Sequence, residues 1–313
     1  MTTSSFDDLG LRPELLAAVR DLGFTEPSPI QTRSIPPALE GRDLIGLSQT
    51  GSGKTAAFAL PALQRVDLTS RKPQVLVLAP TRELALQICS EVHRLGASLS
   101  GFGAVAVYGG APIDRQIKIL RRGVQVVVGT PGRLLDHLRR RSLDLSQVRT
   151  VILDEADRML DMGFQEEMES VLEALPAERQ TLFFSATMNR NVERLIREYG
   201  DDPQLIEIER KALTVEEVDQ LLYVVTPRSR IEVLSRIVDI RRPQLAMVFC
   251  NTRQRVDECA ESLAARGYAA DRIHGDVSQH MREQVLRRFR SGMVKILVAV
   301  SYTQLTLPTT DVG

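Results

Sequence analysis

The segment Ser48-Gln-Thr-Gly-Ser-Gly-Lys-Thr55 sets two glycines, a lysine and a hydroxyl where they could grip a phosphate chain. Gly51 and Gly53 let backbone N–H groups come close to phosphate oxygens, and a helix opening near Lys54 adds the positive end of its dipole. Thr50 and Ser52 complete the loop. Lys54 can reach the β- and γ-phosphates, and the Thr55 hydroxyl can ligate Mg²⁺. The phosphate-loop pattern has Gly where Ser48 stands, a small-for-small exchange. A matching acidic half occurs in Val151-Ile-Leu-Asp154-Glu155-Ala-Asp157. An acid at the end of a hydrophobic strand can hold Mg²⁺ directly or through water, and its neighbour Glu155 can orient and deprotonate an attacking water. Taken singly, the first segment could be a glycine-rich turn and the second an exposed acidic turn. Both halves in this order argue for ATP and Mg²⁺, with Lys54, Asp154 and Glu155 as the catalytic candidates and Thr55 and Asp154 as the metal ligands.

Such a site needs a scaffold that presents loops at the ends of strands. Short apolar runs recur at Val75-Leu-Val-Leu-Ala79, Val124-Gln-Val-Val-Val128, Val151-Ile-Leu153 and Leu182-Phe-Phe184. Runs without polar alternation read as strands buried on both faces of a parallel sheet. Helical patterns lie between them over Arg82 to Leu95, Gly132 to Arg140 and Phe164 to Leu175, and this alternation predicts a doubly wound α/β fold. A polar stretch over 209–218 reads as a linker. The pattern then restarts with strands Leu221 to Val225, Ala246 to Phe249 and Ile296 to Ala299, and helices Arg230 to Asp239, Arg253 to Ala265 and Ser278 to Phe289. The expected organisation is a first unit over 1–208 and a second, partial α/β unit over 219–313, since about 95 residues hold only part of a sheet.

Composition narrows the partners. With 43% hydrophobic residues the 313-residue chain can bury a large core. Lys plus Arg and Asp plus Glu both number 40, so there is no overall basic excess, and any nucleic-acid contact must come from local placement. Of those cations five are Lys and 35 are Arg. Arg suits bidentate phosphate contacts, but a GC-rich coding bias is the better account of most of them. Cys89, Cys250 and Cys259 lack metal-finger spacing and read as reduced core thiols of a cytoplasmic protein. The N-terminus has no apolar leader, and no apolar run is long enough to span a membrane.

Asp154-Glu-Ala-Asp157 and its companions resemble the DEAD-box ATP-dependent RNA helicases of bacteria. The matches run in family order from residue 6 to about 299: Gly23-Phe24-Thr-Glu-Pro27-Ser-Pro29-Ile30-Gln31, the phosphate loop, Pro80-Thr-Arg-Glu-Leu-Ala85, Gly109-Gly110, Thr130-Pro-Gly-Arg133, the acidic tetrad, Ser185-Ala-Thr187, Val248-Phe-Cys-Asn-Thr252, and His274-Gly-Asp-Val-Ser-Gln279 with Arg282. The resemblance implies two RecA-like units, the second incomplete here. It implies that Gln31 reads the adenine edge, as an amide that both donates and accepts can. Phe6 occupies the position that stacks on the base, while Phe24 braces the loop. It further implies that Thr81, Arg82, Gly110, Thr130 and Arg133, with Thr252, Arg253, Gln279 and Arg282 of the second unit, hold the RNA backbone without reading sequence. Ser185 and Thr187 would couple hydrolysis to strand separation. His274 reads as a structural loop residue. ATP and RNA would draw the two units together, and the closed form would unpair a short duplex.

The likeness stops after Ala299. Val300-Ser-Tyr-Thr-Gln-Leu-Thr-Leu-Pro-Thr309 stands where the family continues with a Thr-Asp-Val-Ala-x-Arg-Gly motif, and no charged residue occurs between Lys295 and Asp311. The family's last arginine-rich motif is absent; an arginine finger is worth roughly 10³–10⁵ in rate. The expectation is that the stretch from about Val300 is not native coding sequence. Two alternatives to an RNA-dependent ATPase stay open: a nucleotide-gated RNA-binding fragment with little turnover, and a related DNA helicase, against which the Gln31 segment and the Ala156-Asp157 ending weigh. Neither the RNA target nor a protein partner can be read.

Overall fold

A computed structural model describes residues 5–49, 51–208, 219 and 221–300. Thr50, the expected linker over 209–218 and the stretch from 301 onward lie outside the described residues. The described residues fall into two compact units, one up to residue 208 and one from 219.

The first unit opens with α1 (Pro13–Asp21), α2 (Pro29–Leu39), β1 (Leu44–Leu47) and α3 (Lys54–Gln64). It continues through β2 (Val75–Leu78), α4 (Arg82–Leu95), β3 (Ala104–Val107), α5 (Ile113–Arg122), β4 (Val126–Gly129) and α6 (Pro131–Arg139). It ends with β5 (Thr150–Leu153), α7 (Ala156–Asp161), α8 (Gln165–Glu173), β6 (Gln180–Ser185), α9 (Arg190–Tyr199) and β7 (Gln204–Glu207). The seven strands form one sheet in the order β3-β4-β2-β5-β6-β1-β7, and every pairing is parallel.

The doubly wound expectation holds, and successive side chains show why. Val75 and Val77 join a core with α1 to α4 on one face, while Leu76 and Leu78 join a second core on the other face, with residues of α6 to α9. Phe184 and Phe183 divide in the same way. Both faces must be covered, so strands without polar alternation are what such a sheet requires. Phe58, Phe183 and Phe184 are fully buried, each contributing about 1.5–3 kcal/mol by removal from water.

The second unit holds α10 (Arg230–Arg241), β8 (Ala246–Cys250), α11 (Arg253–Ala265), β9 (Ala270–Ile273), α12 (Gln279–Arg290) and β10 (Ile296–Val300). Its parallel sheet has the order β8-β10-β9 among the described residues. One expectation is corrected. Leu221 to Val225 is not a strand. Leu222 and Val224 are 90% and 92% exposed; a run of apolar residues becomes a strand only where a neighbouring strand accepts its ladder, and none of the described strands pairs with it.

Candidate functional site

Parallel strands all point their carboxyl ends the same way, and ligands of open α/β sheets bind outside that edge. Apart from Phe6, Phe24 and Gln31, which precede β1, every candidate segment of the first unit leaves a strand there. The phosphate loop follows β1, Thr81 and Arg82 follow β2, Gly109 and Gly110 follow β3, Thr130 to Arg133 follow β4, Asp154 and Glu155 follow β5, and Ser185 and Thr187 end or follow β6. In the sheet β6 stands between β1 and β5, so the phosphate loop and the acids lie two strand spacings apart, about 10 Å.

The loop between β1 and α3 turns through Gly51 and Gly53, at φ 79° and 88°. A Cβ on Gly51 would meet nothing within 4 Å, which leaves that backbone open to an incoming oxyanion. Lys54 is 6% exposed and donates from Nζ to the Ser48 carbonyl at 3.1 Å. Ser52 Oγ bridges to Ser48 Oγ at 2.9 Å. Gln31 supports the loop from α2: its Oε1 accepts from the Ser28 N–H at 2.8 Å and its Nε2 donates to the Gly53 carbonyl at 3.1 Å. Ser28 Oγ donates to the Ser52 carbonyl at 2.8 Å. One end of the Gln31 amide thus holds the phosphate loop while the other closes the cap of α2. Phe6 is 4% exposed within the core, its ring stacked on Phe24 at 6.2 Å.

The acids are buried beside this loop. Asp154 is 3% exposed, and burial pushes its carboxyl up to about 6; the Lys54 ammonium opposes the shift, while Glu155 and Asp157 reinforce it. Its Oδ1 accepts from the Glu155 N–H at 3.0 Å. Glu155 sits in the left-handed region at φ 53° and is 4% exposed. Arg158 donates from Nη1 to Glu155 Oε2 at 2.5 Å. Across from them, Glu91 on α4 is hydrogen-bonded to the Thr55 side chain; burial raises its carboxyl, with the Asp154 charge adding to the rise. Thr55, Asp154 and Lys54 therefore form one electrostatically linked set of hard oxygens and a cation, a donor set that fits Mg²⁺ with phosphate.

Between β5 and β6, Asp157 Oδ2 accepts from the Thr187 N–H at 3.0 Å and from its hydroxyl at 2.8 Å. Ser185 Oγ donates to the Thr187 carbonyl at 2.8 Å. The acidic tetrad and the Ser-Ala-Thr segment are thereby one hydrogen-bonded unit.

The other half of the edge gathers the candidate RNA contacts. Thr81 caps α4, its hydroxyl accepting from the Leu84 N–H at 3.2 Å. A Cβ on Gly110, at φ 82°, would overlap the Arg82 guanidinium. Thr130 caps α6 by position. Arg133 Nη1 donates to the Ala111 carbonyl at 3.1 Å and to Gln116 Oε1 at 3.2 Å. In the second unit, Thr252 caps α11, and Arg253 pairs with Asp276 at 2.6 Å. Arg282 lies in the first turn of α12, and of Gln279 only the backbone is described. His274 is 6% exposed and bonded to Asp257 at 3.0 Å, the structural placement its surroundings favour.

Sequence reasoning missed Arg158, Glu91, Gln116 and His137. Their partners are far along the chain or too close to form a motif. Gln116 left one trace, as a polar residue within the apolar stripe of Ile113, Ile117 and Leu120.

Comparison with known proteins places the chain in a family. A family described as DEAD/DEAH box helicase matches residues 28–195, and the helicase conserved C-terminal domain matches 229–312. The chain is 47% identical over 299 residues to a DEAD-box ATP-dependent RNA helicase CshA of Geobacillus kaustophilus, covering 96% of this chain and 63% of that protein. It is 44% identical to the helicase of the same name in Bacillus subtilis, covering 95% and 60%. The chain thus spans less than two thirds of these relatives' length. Among solved structures, Saccharomyces cerevisiae Dbp5 bound to RNA and ADP BeF3 matches with a TM-score of 0.85 at 32% identity, over 95% of this chain and 75% of that one. A DEAD box protein from Methanococcus jannaschii matches with a TM-score of 0.64 at 37% identity, over 95% and 80%.

Proposed function

Since this chain belongs to the DEAD/DEAH box helicase family, we propose that it is an ATP-dependent RNA helicase whose RNA-stimulated ATP hydrolysis drives local, sequence-independent unwinding of short duplexes. The observation that carries this reading is the convergence of Lys54, Thr55, Asp154 and Glu155 at one sheet edge, with the Lys54 and Asp154 charges acting on each other. Bound Mg²⁺ would neutralise charge on the transferring phosphoryl group. Lys54 exchanges its Ser48 carbonyl for phosphate oxygens, while Gly51 to Gly53 offer backbone N–H groups to the same chain. The Thr55 hydroxyl, with its proton engaged by Glu91, keeps a lone pair for the metal. Glu155 takes the proton of the attacking water once it leaves Arg158. Gln31 would exchange its Ser28 and Gly53 partners for the adenine edge, which an amide that both donates and accepts can read.

RNA phosphates meet the N-terminal turns of α4 and α6, where the positive end of each helix dipole favours an anion. Thr81, Arg82, Gly110, Thr130 and Arg133 line this track, and Thr252, Arg253, Gln279 and Arg282 add contacts from the second unit. Contacts of this kind position a backbone and carry no base information. The Asp157–Thr187 bonds link the hydrolytic acids to the next strand. The Dbp5 structure with RNA and a nucleotide analogue supports both ligands by likeness. No described helix is long and apolar enough to cross a membrane.

Phosphate release with and without single-stranded RNA tests the reading. Stimulation by RNA, abolished in Glu155→Gln, is the expected result. Nucleotide and RNA binding without turnover would replace it by a nucleotide-gated RNA-binding protein, and stronger stimulation by single-stranded DNA would replace it by a DNA helicase.

A further inference from the structure

We propose that Gln116 and His137 are positioning residues for RNA binding, which hold Arg133 and the Gly109–Gly110 loop in register with the start of α6. This rests on the reading that this half of the sheet edge takes the RNA backbone. The geometry is a closed hydrogen-bond network between three segments that no short motif connects. Gln116, on α5, is 5% exposed, and His137, on α6, is fully buried. Gln116 Nε2 donates to the Tyr108 carbonyl at 3.0 Å. That carbonyl can only accept, so the amide orientation is set and Oε1 must face the other way. There it accepts from Arg133 Nη1 at 3.2 Å and lies 3.0 Å from His137 Nε2. An oxygen already serving as acceptor requires Nε2 to carry the proton. Ser142 Oγ lies 2.8 Å from His137 Nδ1 and 3.1 Å from the His137 carbonyl, and with the imidazole neutral its single proton goes to Nδ1, the nearer acceptor. Burial, with the nearby Arg133 charge, lowers the imidazole's proton affinity and suits this neutral form.

The consequence falls on Arg133. Its Nη1 also donates to the Ala111 carbonyl at 3.1 Å, and the side chain is only 14% exposed. A guanidinium is planar, so fixing one nitrogen twice fixes the direction of its remaining N–H groups. The Tyr108 and Ala111 carbonyls that anchor the network flank Gly109 and Gly110. The phosphate-facing backbone after β3 and the first turn of α6 are therefore held at one spacing by buried, mutually satisfied polar groups. Such networks rigidify a site only when every member is paired.

The test measures affinity for a fluorescein-labelled, single-stranded oligouridylate in the presence of a non-hydrolysable ATP analogue, with affinity for a fluorescent ATP analogue and the thermal midpoint read on the same samples. Arg133→Ala should weaken RNA binding, and Gln116→Leu should weaken it roughly tenfold through the lost charged hydrogen bond. The double variant should bind no more weakly than Arg133→Ala alone. His137→Gln keeps a donor near the place of Nε2 and should stay within about threefold of the parent, whereas His137→Leu should lose as much as Gln116→Leu. Nucleotide affinity should hold throughout. If Gln116→Leu binds RNA like the parent while Arg133→Ala does not, the positioning role is wrong and the RNA reading survives. Additive losses in the double variant, or equal behaviour of His137→Gln and His137→Leu, would also overturn it. A parent protein that binds no RNA removes the underlying reading and this inference together.

Discussion

The two halves of the first sheet's carboxyl edge are built on opposite principles. Around β1, β5 and β6, charge is buried at a cost: Asp154 sits at 3% exposure with a raised carboxyl, and Lys54 at 6% exposure faces its own loop's carbonyl. Backbone strain gathers there too, at Glu155. Beside β3 and β4, Gln116 and His137 form a neutral hydrogen-bonded network ending in one arginine. On the proposed function, the half that takes a metal and a polyanion keeps groups whose proper partners come from outside. The half proposed to present a fixed track keeps its partners at home.

If the nucleotide half depends on ligands, its charges should matter most when ATP is present. Lys54→Ala should lower kcat/KM for ATP by about 10²–10³, the scale set by loss of a buried donor to developing charge. RNA affinity measured without nucleotide should stay unchanged. Steady-state phosphate release and RNA titration check the two parts; equal losses in both would erase the contrast between the halves.

The same contrast predicts a gain from removing a functional group. Asp154 titrates near 6 in the folded chain, above the ordinary carboxylate, so the folded state holds the proton more tightly than the unfolded state. Its ionised form therefore costs stability, a penalty that sets in as pH rises through the unfolded value and is complete above about 6. Asp154→Asn keeps the oxygen that accepts the Glu155 N–H. Without nucleotide it should stabilise the protein at pH 8 by about 1–3 kcal/mol and do little at pH 4. Denaturant melts at both values decide it, and no gain at pH 8 would mean the burial is already compensated.

How far this was legible in the sequence follows from how local each signal is. The α4 helix was expected over Arg82 to Leu95 and has those bounds, because the Thr81 cap and the apolar period lie in one stretch of chain. Lys54 and Asp154 were equally legible, since a loop and a strand end each carry their chemistry in consecutive residues. Strand β9, Ala270-Asp-Arg-Ile273, was not: its polar middle residues give no apolar run. Leu221 to Val225 had the composition of a strand without a lateral partner. Gln116 and His137 become functional candidates only when α5 and α6 are placed side by side.

On the track half the expected effects are smaller. Gly110 stands at φ 82° with the Arg82 guanidinium where a Cβ would go. Gly110→Ala should cost about 1–2 kcal/mol of stability. By displacing Arg82 it should weaken RNA binding several-fold, with nucleotide affinity intact. Parallel losses of RNA and nucleotide affinity would show that the two halves are less separable than their construction suggests.

The smallest effect separates the halves by the sign of their pH response. Burial and Arg133 lower the proton affinity of His137 in the folded chain, so as pH falls below the ordinary histidine range the unfolded state takes up a proton first. Stability from this group is present above that range and is lost as pH falls through it, opposite in direction to the Asp154 penalty. The loss should be about 1 kcal/mol or less by pH 5.5, and His137→Gln, which cannot titrate, should remove that part of the slope. Comparing denaturant midpoints of parent and variant between pH 5.5 and 8 isolates it. An unchanged slope would mean that His137 is charged in the folded protein, and Gln116 Oε1 would then face two cationic donors.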